Sequence, residues 1–346
     1  MRAAALILAS AILASSCAPA SDNGANNIGR GTTLVAVKAR GFVRCGANKD
    51  VIGFGAPDSN GYWRGLDVDV CRAVAAAVLG DQDKVRFFPL SGQNRLIALQ
   101  TGEIDVLPRT TTWTLLRDAN GVNFTFPTYY DRTSFMVRKE SGVTGVAGLA
   151  GATVCVQAGS TNEEIFTDVS RRRHLNLRAV VFDNLLSTRQ AFIAGRCDAI
   201  ISDGSALAST RATQAARPDD LILFPADDRV TPLTPAVRHG DDQWFDIVKF
   251  SIDALFTAEQ LGVTITNAEQ MRASNDPAIK RFLGVEPSNG RALGLPDDYA
   301  FQIVHQVGNY AQVYDRNLGA GSALKIPRGL NRLQRDGGLI VPIGVQ

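Results

Sequence analysis

The chain has 346 residues, 45% of them hydrophobic, and a formal net charge of +2 at pH 7. This is an ordinary globular composition with enough length for two hydrophobic cores. The longest basic run is the three arginines at 171–173, and the pI of 8.3 lies below the value of about 9 typical of nucleic-acid-binding domains. We therefore interpret the run as a solvated helix face and expect no nucleic-acid partner.

The first 20 residues have the pattern of a signal peptide for export. A positive charge at Arg2 precedes an apolar stretch at 3–13. Two processing sites compete: residues 18–20 (APA) fit signal peptidase cleavage, whereas the box that ends at Cys17 would leave that cysteine lipidated. Either route predicts a periplasmic protein, soluble or held at the membrane by the lipid. No later stretch reaches the roughly 20 apolar residues that span a bilayer.

After a polar leader at 21–32, which we expect to be flexible, the sequence alternates between strand and helix patterns. Predicted strands lie at 42–45, 85–88, 104–107, 152–156, 179–182 and 198–201, and predicted helices lie at 67–79, 94–100, 161–169, 186–194, from about 205, and at 243–260. The βαβαβ order occurs twice. It predicts an α/β fold with two lobes, each a mainly parallel sheet flanked by helices.

Two segments rich in β-forming and turn residues, 129–138 and 228–238, predict the crossings between the lobes. We accordingly expect the first lobe to comprise 33–130 and 232–346, and the second lobe to comprise 131–231. The tail predicts helices near 277–283, 297–317 and 328–335 and is long enough to pack on the first lobe.

Beyond Cys17 the chain has four cysteines, at positions 45, 71, 155 and 197. An even number in an exported protein predicts disulfides, of which three pairings exist, and four buried free thiols are the alternative. The spacing argues against zinc, because there is no CxxC motif and the three histidines, at 174, 239 and 305, are scattered. We expect neither a metal nor a cofactor.

Ligands of open α/β sheets bind beyond the carboxyl ends of the strands, where three polar loops stand out. Residues 108–117 hold four threonines, one tryptophan and two arginines, which suit a carboxylate, although a polar turn with a helix N-cap is the alternative. Residues 157–163 open a helix whose free N–H groups favour an anion. Asp203 could pair with an ammonium group, or could merely cap the next helix. Together the loops predict a zwitterion receptor bridging both lobes.

These stretches resemble the bacterial extracellular solute-binding proteins for polar amino acids, over about residues 40–260. The matching motifs are GLDVDV at 65–70, ALQTGEID at 98–105, the TTWT run at 111–114 followed by Arg117, the loop 157–163, and GRCDA at 195–199. The four cysteines, the GDDQWF stretch at 240–245 and the long tail resemble the general L-amino-acid-binding branch of ABC uptake systems. The resemblance implies the two-lobed type II periplasmic binding protein fold, with two hinge crossings.

The resemblance also implies roles for individual residues. Arg117 would clamp the α-carboxylate with help from Thr112 and from the side chain and amide of Thr161, while Asp203 and the Thr110 carbonyl would bind the α-ammonium. The disulfides would be Cys45–Cys71 and Cys155–Cys197, one in each lobe. Further candidate ligand-binding residues are Arg109, Asn48, Trp113 and Ser160.

The sequence departs from narrower family members after the first strand, where they carry an aromatic wall for the ligand side chain. Residues 48–54 (NKDVIGF) place no aromatic at the usual position, although Phe54 or Trp113 could substitute. This predicts a roomy pocket with broad specificity for polar L-amino acids, and Arg109 favours acidic or amide side chains.

The function expected from these features is ligand capture by a monomer, followed by delivery to an ABC transporter permease. One alternative is an enzyme on the same fold, such as a cyclohexadienyl dehydratase. That chemistry needs a positioned general acid or base, and the loops offer Asp203 and Glu163 but no histidine. A second alternative is a periplasmic sensor that reports ligand occupancy to a membrane receptor. We expect a binding protein and not an enzyme.

Overall fold

The computed structural model describes residues 32–286 and 290–343. The predicted signal peptide at 1–20, including Cys17, lies outside the described residues, as does the predicted leader at 21–32 except for its last residue. Within the two described ranges, no helix is long and apolar enough to cross a membrane.

The described ranges alternate between strands and helices for most of their length. The helices are α1 (Thr32–Arg40), α2 (Leu66–Leu79), α3 (Arg95–Gln100), α4 (Leu115–Ala119), α5 (Thr161–Arg172), α6 (Leu185–Ile193), α7 (Gly204–Gln214), α8 (Asp242–Leu261), α9 (Ala268–Met271), α10 (Pro277–Phe282), α11 (Gly290–Leu293), α12 (Tyr299–Val307) and α13 (Tyr310–Asn317). The strands are β1 (Val43–Ala47), β2 (Ala56–Pro57), β3 (Trp63–Arg64), β4 (Val85–Pro89), β5 (Val122–Phe124), β6 (Tyr129–Asp131), β7 (Thr133–Arg138), β8 (Thr153–Gln157), β9 (Arg178–Phe182), β10 (Ala199–Asp203), β11 (Leu221–Pro225), β12 (Thr231–Leu233) and β13 (Ala236–Arg238).

The second lobe is built on a five-stranded sheet in the order β11-β7-β10-β8-β9. Only β7 in this sheet runs against its neighbours, so the prediction of a mainly parallel sheet is confirmed. Side chains alternate between the faces of a strand. Val154 and Val156 of β8 therefore pack under α5, whereas Cys155 packs on the other face with Phe192 of α6 and Leu207 of α7.

The first lobe repeats this strand order with looser pairing. Strand β1 pairs in parallel with β4 and bridges to Val106, and Leu107 bridges to Ala236 of β13, which pairs with β5. Each sheet has one strand that runs antiparallel to its neighbours. This strand is β7 in the second lobe and β13 in the first, and each follows directly after a crossing from the other lobe. The strand predicted at 104–107 is instead a buried extended segment that pairs only through these bridges.

The core of the first lobe has two clusters. The larger one extends from Leu34 to Ile340 and joins α2, α8, α12 and α13, and the smaller one includes Leu99, Leu107 and Ala236. Helix α2 forms as predicted and ends at Gly80, whose φ of 67° is left-handed. Before it, Gly65 is required, because a Cβ at that position would lie 2.1 Å from the Phe54 carbonyl oxygen.

The tail differs from its prediction in two places. The helix expected at 297–317 is interrupted at Gly308, where φ is 91°, and forms α12 and α13. The helix expected near 328–335 consists of two short 3-10 turns, at Gly329–Asn331 and Gln334–Asp336. Helix α1, which the sequence analysis did not predict, buries Leu34 and Val37 on the first lobe.

Two crossings connect the lobes. They are the antiparallel strands β6 and β12, which pair with each other; β6 leads into β7 of the second lobe, and β12 leads into β13 of the first. Each lobe also has a disulfide. Cys45 of β1 bonds to Cys71 of α2, and Cys155 of β8 bonds to Cys197, just before β10. These are the pairs that the family resemblance implies.

Candidate ligand-binding site

A small cavity of about 30 Å³ lies between the lobes, where the carboxyl ends of the strands from both sheets meet. Its lining comprises Asn48, Val51, Gly92, Arg95, Arg109, Thr110 and Thr112 from the first lobe, and Gln157, Ser160, Thr161, Asn162, Leu185, Ser202, Asp203 and Ala206 from the second. A larger depression of about 560 Å³ lies on the outside of the second lobe, but residues from that lobe alone line it. The chemistry therefore favours the smaller site.

The lobes touch on two sides of this cavity. Thr112 Oγ1 lies 3.2 Å from Thr161 Oγ1, and Arg189 Nη2 of α6 donates to the Asp50 carbonyl at 2.9 Å. The Asp50 carboxylate lies 3.3 Å from the same guanidinium nitrogen. Because Arg189 is fully buried by these contacts, the structure represents a closed arrangement of the two lobes.

Three arginines and one aspartate dominate the electrostatics. Burial lowers the pKa of Arg95 well below its usual value, and the charges of Arg109 and Arg117 lower it further. Burial also lowers the pKa of Arg109 to about 10 and lowers that of Arg117, and in all three cases Asp203 opposes the shift. Asp50 and Asp67 also oppose the shift at Arg109, and Glu164 opposes it at Arg117, but among the described residues that line the cavity Asp203 is the only carboxylate beside Arg95 and Arg109. The excess of positive charge favours an anionic ligand.

Arg109 and Thr110 form a turn with φ angles of 28° and 42°, which are unusual for residues other than glycine. The turn is held by the Thr110 N–H, which donates to Asp67 Oδ2 at 2.8 Å, and by Asn48 Nδ2, which donates to Thr110 Oγ1 at 3.0 Å. Arg109 Nε donates to the Leu90 carbonyl at 2.7 Å. Burial raises the pKa of Asp67 to about 7, against the effect of the Thr110 N–H and of Arg109. Asp67 therefore supports the turn from beneath.

Arg117 and Trp113 take different positions from the other candidates. Arg117 Nη1 donates to the Thr112 carbonyl at 3.0 Å, and the residue lies outside the lining of the closed cavity although its charge acts on Arg95 and Arg109. Trp113 is 40% exposed and lines a depression of about 700 Å³ on the outer surface. Its indole stacks on Phe124 with ring centroids 6.1 Å apart.

The second lobe contributes a helix N-terminus and a carboxylate. Ser160 caps α5 by accepting from the Glu163 N–H at 3.3 Å, which leaves Thr161 facing Thr112. Asn162 Nδ2 donates to Asp203 Oδ1 at 3.2 Å and orients that carboxylate. Burial raises the pKa of Asp203, while the bond from Asn162 and the nearby arginines lower it.

A second buried carboxylate, Asp131 of β6, lies beside Asp203. It accepts bonds from the N–H and the hydroxyl of Ser205, at the start of α7. Burial and the charge of Asp203 raise its pKa to about 7, against the effect of the bonds from Ser205 and the Arg132 N–H. Asp131 therefore links the hinge strand to the helix that follows Asp203.

Arg95 is a lining residue that was not predicted from the sequence. It is 6% exposed and has a buried Nε without a hydrogen-bond partner in the described part of the chain. Its position after β4, at the start of α3, is a signal that could have identified it. Across 32–286 and 290–343, no three His, Cys, Asp or Glu side chains cluster closely enough to hold a metal ion.

Comparison with known proteins gives the chain its relatives. Residues 43–265 match the bacterial extracellular solute-binding proteins, family 3. The general L-amino acid-binding periplasmic protein AapJ of Rhizobium johnstonii is 50% identical over 89% of this chain and 91% of its own length. The glutamate/glutamine/aspartate/asparagine-binding protein BztA of Rhodobacter capsulatus is 44% identical over 89% and 92%. A solved ABC transporter periplasmic binding protein from Brucella ovis, with glutathione bound, has a TM-score of 0.88 and 43% identity, covering 91% of this chain and 99% of that one.

Proposed function

The chain belongs to the bacterial extracellular solute-binding proteins, family 3, and on that premise we propose that it captures polar L-amino acids for an ABC transporter. It binds the ligand between its two lobes and delivers it to a membrane permease. The observation that carries this proposal is the cavity between the lobes, which has arginines on one side and Asp203 on the other. The names of AapJ and BztA, which are amino-acid-binding proteins, support the same function.

The charges suggest how a zwitterion would be held. We assign the α-carboxylate to Arg117, with the hydroxyls of Thr112 and Thr161, which lie 3.2 Å apart and both face the cavity. The α-ammonium goes to Asp203, whose carboxylate is already oriented by Asn162, and to the Thr110 carbonyl. Arg117 does not line the closed cavity, but its charge acts on both Arg95 and Asp203 there, which supports its role. The two charges of the ligand would then bridge the lobes and favour the closed state.

The remaining arginines suggest the preferred side chains. Arg95 is buried with an unpaired Nε, and a ligand oxygen at that nitrogen would remove the cost of leaving it unsatisfied. Arg109 adds a second cation to the same wall. We therefore expect glutamate, aspartate and their amides to bind more tightly than aliphatic amino acids. No aromatic residue is among the described lining residues, which supports broad rather than narrow specificity.

We further propose that the lobes divide as the sequence predicts, at 33–130 with 232–346 and at 131–231. The pairing of β6 with β12 at both boundaries supports this division, as does the core of the five-stranded sheet, which lies entirely between Phe135 and Ala226. A monomer in the periplasm, either free or anchored by a lipid at Cys17, completes the proposal.

Catalysis on this fold is the weaker candidate. Asp203 is the only carboxylate among the described lining residues, and no histidine lines the cavity. Glu163 is not among the described lining residues, and its Oε2 accepts from the Gly159 N–H at 2.9 Å. The relatives named above are binding proteins, which also supports capture over a dehydratase reaction. A sensor would use the same capture step with another membrane partner.

The test is a thermal-shift and calorimetric screen of the mature protein. The ligands are the twenty L-amino acids, their D-forms, glutathione and a cyclohexadienyl acid. A ligand at 100 times its Kd stabilises by about 2.7 kcal/mol, which raises Tm by several degrees. Shifts with L-glutamate and L-glutamine but not with the D-forms support the proposal. A response to glutathione alone would reassign the site to a peptide, one to the cyclohexadienyl acid alone would favour an enzyme, and a flat response would refute amino-acid binding.

A further inference from the structure

The hinge strand β6 is held on both of its edges. On one edge it pairs with β12, with Tyr130 opposite Pro232, a residue that has no N–H to donate. On the other edge, the Tyr130 N–H donates to Asn331 Oδ1 at 2.6 Å, and Asn331 Nδ2 donates to the Tyr130 carbonyl at 3.2 Å. One side-chain amide thus takes the place of a neighbouring strand.

Asn331 is itself fixed to the first lobe. It is 3% exposed, and its carbonyl accepts from Arg328 Nε and Nη2 at 3.0 and 2.7 Å. The same guanidinium binds both carboxylate oxygens of Glu259 in α8, at 2.6 and 3.1 Å. Because α8 belongs to the central core of that lobe, Asn331 is a rigid contact for the hinge.

Two tyrosines of α13 hold the residues that precede Tyr130. Tyr310 Oη donates to the Thr128 carbonyl at 2.7 Å, and the Tyr314 ring is stacked on the Tyr129 ring with centroids 6.2 Å apart and an interplanar angle of 5°. The tail therefore contacts three successive residues of one crossing, at 128–130. In the described part of the chain, the helices of the tail pack mainly on α2 and α8 of the first lobe, so the effect of the tail on the hinge is not symmetric between the lobes.

The contact continues from the hinge to the ligand site. Asp131, the last residue of β6, accepts from the N–H and hydroxyl of Ser205 at the start of α7. Ser205 follows Asp203 by two residues, and the Gly204 N–H between them donates to the Arg132 carbonyl at 2.9 Å. The position of β6 consequently influences where Asp203 lies when the lobes are closed.

We propose that the C-terminal extension is a hinge clamp in which Asn331 is a positioning residue. It holds β6 in the backbone arrangement of the closed state, and thereby sets the balance between open and closed forms and the rate of ligand release. The inference rests on the proposed capture of a ligand between the lobes, but the position of the hinge can be measured without any ligand.

The test uses the mature full-length chain with Asn331→Leu, which keeps the approximate size of the side chain and removes both bonds to Tyr130. The matched control is Asn317→Leu in the same extension, since Asn317 bonds Asp69 of α2 and no residue of β6. Spin labels on Ile97→Cys in the first lobe and Arg171→Cys in the second, both exposed positions, report the distance between the lobes.

We expect Asn331→Leu to shift the ligand-free distance distribution towards longer values, and to raise the dissociation rate and Kd for glutamate about tenfold, as the loss of one or two buried hydrogen bonds predicts. For Asn317→Leu, the dissociation rate and the Kd should both stay within twofold of the wild-type values. Equal distances and rates in the two variants would overturn the clamp.

If Asn331→Leu does not fold, Tyr310→Phe takes its place, since it removes only the bond to Thr128. It should lengthen the distance between the lobes and speed ligand release in the same direction by a smaller amount, and wild-type distances and rates would overturn the clamp. A wild type that binds no amino acid would refute the proposed function, while the distances would still decide the clamp.

Discussion

The two lobes share one strand order and differ in what stabilises them. The core of the second lobe lies within one continuous stretch, with separate clusters on the two faces of a fully paired sheet. The first lobe has a sparsely paired sheet, a small separate cluster that includes Leu99 and Ala236, and a large core that includes the tail as far as Ile340. Where strand pairing is weak, helix packing from distant parts of the chain takes its place. We therefore expect the tail to remain fixed to the first lobe, and the second lobe to move relative to both when the protein opens and closes.

The lobes also differ in the charge that they bring to the cavity. The first lobe contributes Arg95 and Arg109 to its lining, with Arg117 close by, and the second contributes Asp203 and the N-terminus of α5. In the proposed binding mode, a ligand with both charges links Arg117 of the first lobe to Asp203 of the second. A ligand with one charge cannot hold the lobes together in the same way.

The largest effects should come from the disulfides, and they should be specific to one lobe. Loss of Cys155–Cys197, which spans 42 residues, should cost about 4 kcal/mol of unfolding free energy, and loss of Cys45–Cys71, which spans 26, about 3.5 kcal/mol. All three tryptophans, at 63, 113 and 244, lie in the first lobe. In urea, the double alanine variant of Cys155 and Cys197 should therefore lose part of its circular dichroism signal before its tryptophan fluorescence changes. Coincident transitions would mean that the lobes unfold as one unit.

Arg117→Ala should weaken glutamate binding by about 2–5 kcal/mol, because a desolvated carboxylate would lose its charged partner. Isothermal titration calorimetry measures the change. Arg117→Lys, which keeps the charge but not the planar fork, should fall between the alanine variant and the wild type. Wild-type affinity in Arg117→Ala would remove this residue from the site.

Asp203→Asn tests the charge contributed by the second lobe. It should weaken binding by about 1.5–3 kcal/mol, the usual contribution of a hydrogen bond to a charged group, and leave Tm of the free protein unchanged or higher, because burial already disfavours this carboxylate. Asp58→Asn, at an exposed turn, is the control and should bind as the wild type does. An unchanged Kd in Asp203→Asn would mean that another group binds the ammonium.

The pH dependence of stability should distinguish Asp67 in the first lobe. Its folded pKa of about 7 lies above the unfolded value of 3.8, so the folded state binds more protons in that window, and stability falls as pH rises through it. Relative to Asp67→Asn, the wild type should therefore gain up to about 1.4 kcal/mol for each pH unit lowered between pH 7 and pH 4. Asp131, which titrates in the same window, is present in both proteins. Parallel stability curves would contradict the shift.

The smallest effect is expected for Trp113→Ala. The side chain lies on the outer surface and stacks on Phe124, so Kd for glutamate should change by less than about twofold, as is usual for exposed positions away from a site. A tenfold loss of affinity would show that the indole turns inwards when ligand binds, and would restore it as a substitute for the missing aromatic wall.

Periodicity was sufficient to predict most elements around the site, because strands such as β8 and helices such as α2 and α8 have regular apolar spacing and clear glycine or acidic ends. The interruption at Gly308 was not predictable from spacing alone, since apolar residues continue on both sides of it. Residues 104–107 have the composition of a strand, but their neighbours provide only single bridges.

Several side-chain positions at the site depend on tertiary packing and could not be predicted from short motifs. Thr112 bridges Leu233 in an extended segment, and successive side chains there point in opposite directions, so Trp113 faces outwards when Thr112 faces the cavity. Arg95 was missed because its approach depends on the orientation of α3 against the sheet, which no short motif encodes. The clamp by Asn331 joins residues 201 positions apart and is a property of tertiary packing alone.

The large core of the first lobe has a consequence for the order of folding. Its contacts join Leu34 to Ile340, whereas the second lobe is complete once Ala226 is available. When the chain becomes available from its N-terminal end, the second lobe can fold before the last residues of the first lobe are present. Contacts between such distant residues also slow folding, because a long loop must close before they form. Truncation near the C-terminus should therefore leave a folded second lobe attached to an incomplete partner.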